Sequence, residues 1–172
     1  MQGQDLFLRQ NRIQVRPTSP DDLEFVIASE RDSENLPFIR QWTLEQHRRA
    51  IDDESVLHLT IEAADDGRRV GYIILCGVGS VDRSIEFKRI VITEKGGGLG
   101  RDAVRAIETI VFETFGAHRL WLEVMVKNTR AKQLYETEGF VEEGTLREAA
   151  QVQDRFESLV VMSMLEAEYE PR

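Results

Sequence analysis

The chain has 172 residues, a usual length for one domain that buries its own hydrophobic core. Its 22 Lys and Arg residues against 31 Asp and Glu residues give a net charge of −9, which argues against general nucleic-acid binding, because such proteins usually present a basic face. One cysteine excludes an intrachain disulfide, and three scattered histidines offer no metal-ligand spacing. We expect one domain over residues 1–172, with no bound metal and no nucleic-acid partner.

The N-terminal third predicts a strand followed by two helices. Met1–Asp5 lacks the basic and then apolar pattern of a secretion signal, and no apolar run reaches the roughly 20 residues that cross a bilayer, so we expect a cytoplasmic protein with no membrane partner. Ile13–Arg16 alternates apolar and polar residues as a short strand does. Thr18–Asp22 combines capping residues with a proline, which predicts a helix start. After a loop around Asn35–Pro37, a second helix is predicted to begin after Thr43.

The middle of the chain predicts an antiparallel meander of three strands. Val56–Ala63 and Arg69–Leu75 are joined by the turn signal Asp65-Asp66-Gly67, and Ser84–Ile92 follows. Strand and helix signals then alternate: a helix through Ala103–Phe115, a strand at Arg119–Val126, a helix between Asn128 and Gly139, and strands from Phe140 and over Phe156–Met164. This order predicts an α/β (α+β) fold, a mixed and mostly antiparallel sheet with helices on both faces.

The glycine cluster Gly96–Gly100 between a strand and a helix predicts a phosphate site. Glycines let backbone N–H groups approach a ligand closely, and the helix N-terminus adds unpaired donors. A P-loop would need Lys and Ser or Thr after the last glycine, but Arg101 and Asp102 follow. Gly98–Ala103 matches the dinucleotide pattern G-x-G-x-x-A, with Glu123 as a candidate ribose ligand, so a dinucleotide and a ligand-free turn both stay open.

A second motif, which follows the glycine cluster in the chain, bears on which ligand the cluster binds. Asn128–Phe140 reads N-x-x-A-x-x-L-Y-x-x-x-G-F, and Lys95–Gly100 approximates the loop pattern Q/R-x-x-G-x-G/A, with Lys95 where Gln or Arg is usual. Over about residues 84–144 the sequence resembles the GNAT superfamily of N-acetyltransferases. Phe38–Trp42, Gly116–Leu120 and Glu142–Glu148 resemble its branch of ribosomal-protein N-terminal acetyltransferases, in which a homodimer is common.

The resemblance implies a splayed cleft that binds acetyl-CoA and passes its acetyl group directly to a primary amine on a small molecule, an antibiotic or a protein N-terminus. Tyr135 matches the family's proposed acid for the CoA sulfur. Strand alternation places Glu86 on one side with Ile90 and Ile92 and makes it the candidate base, with Glu123 its rival. Residues implied to contact the cofactor are Ile90, Val91, Ile92, Lys95, Gly96, Gly97, Gly98, Leu99, Gly100, Arg101, Asn128, Ala131, Lys132 and Tyr135.

Phe38 and Trp42 belong to the helical region that, by resemblance, covers the acceptor side, where Glu123 is a further candidate for contacting the substrate. The alternative function is a CoA-binding regulatory module that keeps the fold without turnover. A dinucleotide-binding protein is the third hypothesis, which tight binding of NAD without binding of CoA would establish.

Overall fold

One eight-stranded sheet organises the molecule in a computed structural model that describes residues 6–172. Met1–Asp5, on which the expectation of no secretion signal rests, lies outside the described residues. The spatial order of the strands is β1-β2-β3-β4-β5-β6-β8-β7, and every neighbouring pair is antiparallel except β5 and β6. The strands are β1 Leu8–Gln10, β2 Ile13–Pro17, β3 Val56–Ala63, β4 Arg69–Cys76, β5 Ser84–Ile92, β6 Arg119–Met125, β7 Val141–Val152 and β8 Arg155–Leu165.

Residues 6–172 contain four α-helices, and the ends of these helices follow local capping chemistry. Thr43 Oγ1 accepts a hydrogen bond from the Gln46 N–H while the Gln46 side chain accepts one from the Thr43 N–H, a capping box. Gly139 ends the fourth helix at a φ of 106°. The helices are α1 Leu23–Arg31, α2 Leu44–Asp52, α3 Leu99–Glu108, continued by a π-helical segment over Thr109–Thr114, and α4 Thr129–Glu138.

The sheet has a hydrophobic core on each face, which confirms the predicted layers. The larger core joins the sheet to α3 and α4 on what we call the first face, with Ile107 and Ile110 fully buried. The smaller core joins it to α1 and α2 on the second face, where Val26 packs with Tyr72 and Ile74. The predicted α/β, mostly antiparallel architecture is therefore confirmed.

Two elements differ from the sequence-based expectation. The strand β1 was not predicted, because its three residues are too few to show an alternating pattern; it is held by pairing with β2 across a turn in which Asn11 has a φ of 50°. The loop around Asn35–Pro37 contains a 3₁₀ turn at Leu36–Phe38, in which the Phe38 side chain is exposed.

Candidate functional site

The sheet opens where its one parallel pair of strands separates. The pairing of β5 with β6 comprises Ser84–Glu86 opposite Arg119–Trp121 and then ends. Beyond that point β5 stays bonded to β4 as far as Ile92, while β6 stays bonded to β8 as far as Met125. The result is a cleft between β5 and β6, lined on one side by the outer edge of β5, as the resemblance implies.

A β-bulge in β5 lies at the start of this cleft. Leu75 pairs with Phe87 and Ile74 pairs with Arg89, so Lys88 is an extra residue in the strand. A bulge reverses the phase of side-chain alternation, and Phe87 and Ile90, three residues apart, both contact the first core.

Glu86 was predicted to lie on the same side of its strand as Ile90 and Ile92, and the bulge makes this prediction wrong. Glu86 pairs with Cys76, next to the second core, and therefore lies on the face of Val91 and opposite to Ile90 and Ile92. Its side chain is 19% exposed, and one carboxylate oxygen lies 3.0 Å from Lys88 Nζ. Sequence alternation could not have revealed this, because the extra residue that breaks the alternation is visible only in the strand pairing.

Main-chain groups of β5 are available along the cleft. The Thr93 N–H donates to the Val70 carbonyl at 2.9 Å, which sets the phase of the antiparallel ladder between β5 and β4. In such a ladder alternate residues direct their N–H and C=O groups to the same neighbour, so Val91 is bonded to β4 while Ile90 and Ile92 face the cleft. An extended ligand running along β5 would find hydrogen-bonding partners at these two residues.

The glycine loop opens α3 beside this edge. Gly98 is the helix N-cap with a φ of 81°, and a Cβ atom there would lie 2.5 Å from the Arg12 guanidinium. The N–H groups of Arg101 and Asp102 both donate to the Gly98 carbonyl, which removes Arg101 from the predicted phosphate donors. The preceding N–H groups, up to Gly100, are those that a helix start leaves without an intrahelical partner.

Two basic side chains hold the loop, and sequence reasoning missed one of them. Arg12 donates to the Gly97 carbonyl and, through Nε, to Asp102 at 2.8 Å. Lys95, where the family usually has Gln or Arg, directs its Nζ to Glu34 at 3.4 Å. Arg12 lies 90 residues from Asp102 in the sequence, so no local pattern connects it to the loop.

Tyr135 on α4 is buried on the first face. Its ring centroid lies 5.7 Å from those of both Phe87 and Phe140, and its side chain belongs to the larger core. Burial raises the pKa of the phenol well above its ordinary value, so it stays protonated throughout the physiological range. In this state the phenol carries a proton and cannot act as a base.

The other predicted residues of α4 lie at its first turn. The Asn128 side chain accepts a hydrogen bond from the Ala131 N–H at 3.3 Å and caps the helix. Ala131 packs against the larger core, and Lys132 Nζ lies 2.7 Å from a Glu142 oxygen. The cap orients the start of α4, but it uses one lone pair of the asparagine oxygen and leaves the amide donors free.

The predicted acceptor residues share the second face with Glu86. Leu120, Leu122 and Val124 of β6 contact the first core, so the alternate residues, including exposed Glu123, point to the second face. Above that face, Lys127 Nζ lies 5.9 Å from the centroid of the Phe38 ring. The centroid of the Trp42 ring lies 4.7 Å from the guanidinium carbon of Arg89. Phe38 thus lies near the segment that follows β6, and Trp42 lies against Arg89 of β5, beside the bulge.

A cavity of about 480 Å³ lies elsewhere, between the β1–β2 turn, the β3–β4 turn and the glycine loop. Its lining includes Arg9, Arg68, Lys95 and Gly97, but residues of β5 and β6 are not among its walls within the described chain. The main-chain groups of β5 that a ligand could reach lie in the opening between β5 and β6, so we assign the candidate site to that cleft and not to this cavity.

Comparison with known proteins agrees with this geometry. The acetyltransferase (GNAT) domain family matches residues 12–141. A spermidine N(1)-acetyltransferase of Vibrio cholerae is 30% identical over 126 residues, covering 73% of this chain and 72% of that enzyme. The putative ribosomal N-acetyltransferase YdaF of Bacillus subtilis is 31% identical over 106 residues, covering 61% of this chain and 58% of that protein. The crystal structure of the V. cholerae spermidine N-acetyltransferase with CoA and spermine has the same fold, with a TM-score of 0.82 at 24% identity over 92% of this chain and 98% of that one.

The chain therefore belongs to the GNAT family of acetyltransferases, which confirms the superfamily and the acyltransferase class predicted from the motifs. Its relatives include a putative ribosomal N-acetyltransferase, as the predicted branch implies, beside spermidine acetyltransferases. The dinucleotide hypothesis is disfavoured, because the sheet has one parallel pair where a doubly wound fold needs several.

Between residues 6 and 172, no helix combines the length and apolar character needed to span a bilayer. Within the same range, no group of three or more His, Cys, Asp or Glu side chains is arranged to hold a metal ion.

Proposed function

We propose that this protein, as one catalytic domain, transfers the acetyl group of acetyl-CoA to a primary amine by direct attack. The observation that carries the proposal is the separation of β5 from β6 beside a glycine-started helix. In the reaction a C–N bond forms, the thioester C–S bond breaks, the ammonium loses a proton to a base, and the CoA sulfur gains one.

The residues along the cleft fit an acetyl-CoA molecule. Outward main-chain groups of Ile90 and Ile92 would pair with the amide groups of the pantetheine arm, as a missing strand would. The free N–H groups of Gly96–Gly100, with the positive end of α3, suit its pyrophosphate. Asn128, Ala131 and Lys132 would form the other wall at the start of α4.

Two side chains are assigned to proton transfer. Tyr135 would donate a proton to the departing sulfur, a role that rests on its motif position in α4 and on the protonated state of its phenol. Glu86 would accept the proton of the acceptor ammonium, directly or through water, because it lies on the second face at the point where the strands separate. Glu123, two residues after the partner of Glu86 on β6, is the alternative base or a contact for the substrate.

The acceptor would approach from the second face, between Phe38 and Trp42. Aromatic walls with a carboxylate suit an amine attached to an apolar or extended carbon chain. Relatives named for spermidine acetylation make polyamines the first acceptors to test, followed by aminoglycosides and peptides with free N-termini.

The test is release of CoA thiol from acetyl-CoA across a panel of spermidine, tyramine, an aminoglycoside and an alanyl peptide. We expect release that depends on the acceptor. If acetyl-CoA raises the melting temperature but no acceptor stimulates release, the protein is instead a CoA-binding module without turnover.

A further inference from the structure

A buried carboxylate, Glu30 at the end of α1, joins four elements behind the cleft. Its side chain is 1% exposed. Oε1 accepts hydrogen bonds from the Tyr72 hydroxyl at 2.6 Å and from Arg89 Nη1 at 2.5 Å, and Oε2 accepts one from the Trp42 N–H at 3.1 Å. Burial alone would raise the pKa of Glu30, but the groups of His47, Arg89 and Tyr72 outweigh it and hold this pKa below its ordinary value, so the carboxylate is ionised.

A chain of polar side chains supports Glu30 from behind. His47 Nε2 lies 3.2 Å from Glu30 Oε1, His47 Nδ1 lies 3.0 Å from His58 Nε2, and His58 Nδ1 lies 2.9 Å from Thr18 Oγ1. The last hydroxyl, that of Thr60, is 2.9 Å from Thr18 Oγ1 and belongs to a fully buried residue. Because the chain ends inside the protein, it gives protons no route to solvent, and its evident effect is to fix the position of Glu30.

The group that Glu30 holds is Arg89, the first residue of β5 to pair after the bulge. The Arg89 side chain is 9% exposed, donates a second hydrogen bond to the Arg40 carbonyl at 2.6 Å, and lies against the Trp42 ring. Its main chain immediately precedes Ile90, whose N–H and C=O face the cleft. The Glu30–Arg89 ion pair therefore contacts β5 just after the bulge, and it also contacts the loop that contains Arg40 and Trp42.

Stability alone is a weak explanation for this arrangement. A buried ion pair contributes little compared with apolar residues of the same volume, because both charges must leave water. A geometric role explains why the Glu30 carboxylate contacts side chains of α2, β4 and β5 and the main chain of the covering loop at the same time.

We propose that Glu30 is a positioning residue that acts through Arg89, an inference that rests on the proposed acetyl transfer. It holds the bulge of β5 and the wall formed by Trp42 in one fixed relation, so that the acetyl carbonyl and the incoming amine meet at the required distance. Neither Glu30 nor Arg89 exchanges protons with the substrate in this role.

The test is Glu30→Gln, which keeps the size of the side chain and removes its charge, assayed with the best acceptor among spermidine, tyramine and an alanyl peptide. We expect the acceptor KM to rise at least tenfold and kcat to fall at least tenfold, while the dissociation constant of acetyl-CoA changes less than threefold. The matched control is Asp22→Asn, another fully buried carboxylate on this side of the sheet, paired at 2.7 Å with both Arg16 and Arg69. It should lose stability while the folded fraction keeps wild-type KM.

A double variant separates positioning from folding. Glu30→Gln with Arg89→Met removes both charges and should recover much of the melting temperature lost in the single variant, yet keep the raised acceptor KM. If Glu30→Gln does not fold, Arg89→Lys, which keeps the charge but loses the second hydrogen bond and the stacking, should still raise that KM. Wild-type kinetics in these folded variants would overturn the positioning role alone, whereas a wild-type protein inactive on every acceptor would overturn the proposed function and this inference together.

Discussion

Glu86 and Tyr135 show which properties of single residues can be predicted from the sequence and which cannot. Both were identified from sequence position, Tyr135 by a motif and Glu86 by alternation along a strand. The motif depends on helical spacing, which α4 preserves, whereas the alternation fails at the bulge and turns Glu86 to the second face. Arg89 and Glu30 were not predicted at all, because they lie 59 residues apart and meet only through packing.

Replacing Tyr135 by Phe tests the proposed acid. The ring contacts with Phe87 and Phe140 would remain, so we expect a melting temperature within a few degrees of wild type. Loss of the proton donor should lower kcat about 10² fold or more, the usual range for general acid catalysis, with a small change in the KM for acetyl-CoA. Steady-state kinetics at pH 7 and pH 9 check this; an unchanged kcat would remove Tyr135 from the mechanism.

Glu86→Gln and Glu123→Gln form a pair that assigns the base. With spermidine as the acceptor, the ammonium present near pH 7 must lose its proton before it attacks, and the pKa of such an alkylammonium is close to that of lysine, about 10.4. The variant that lacks the base should lose activity at pH 7 and approach wild type near pH 10, where free amine is abundant. The other variant should keep the wild-type pH profile. If both keep it, neither carboxylate is the base.

At the scale of elements, strands and helices with strong end signals were predictable, because caps and glycines act locally. Thr43, Asn128 and Gly139 each lie at a helix end as predicted. The short β1 has no such signal, and the separation of β5 from β6 depends on which strand each one pairs with, which the sequence does not encode locally.

Two substitutions in the glycine loop test whether this loop binds acetyl-CoA or is only a turn. Gly98→Ala should destabilise the protein by about 1–3 kcal/mol, because Gly98 has a positive φ and its added Cβ would meet the Arg12 guanidinium. Gly97→Ala meets nothing within 4 Å and has an ordinary φ, so its melting temperature should not change. We expect calorimetry to show weaker acetyl-CoA binding in Gly97→Ala, since the new methyl group blocks close approach of the pyrophosphate. Unchanged binding would mean that the loop is only a turn.

Helix α3 also contains a pH-sensitive carboxyl group, Glu108. Burial, opposed by Arg172 and reinforced by Glu138, raises its pKa from 4.5 to about 7, so the folded state binds this proton more tightly than the unfolded chain. The favourable contribution is complete below about pH 4.5 and is lost as the pH rises to about 7, a loss of at most about 3 kcal/mol. Glu108→Gln should therefore melt several degrees above wild type at pH 8 and close to it at pH 4.5. Equal melting temperatures at pH 8 would contradict this assignment.

In the molecule as a whole, we assign the two faces of the sheet to different substrates. The first face carries α3, α4 and Tyr135, where acetyl-CoA would lie, and the second carries α1, α2 and the aromatic residues of the acceptor side. The candidate cofactor segments could be identified from the sequence because the glycine loop and the α4 motif are each contiguous, whereas the face on which each helix lies was not predicted. The acceptor side could not be predicted in detail, since it is assembled from α1, the covering loop, β5 and β6.

Mass spectrometry of the acceptor after incubation with the protein and acetyl-CoA, beside quantification of released CoA thiol, tests the central claim most directly. We expect each released thiol to be matched by one acetylated amine, and omission of the protein or the acceptor to abolish both products. Thiol release without an acetylated amine, or neither product with any acceptor although acetyl-CoA binds, would contradict acetyl transfer to an amine.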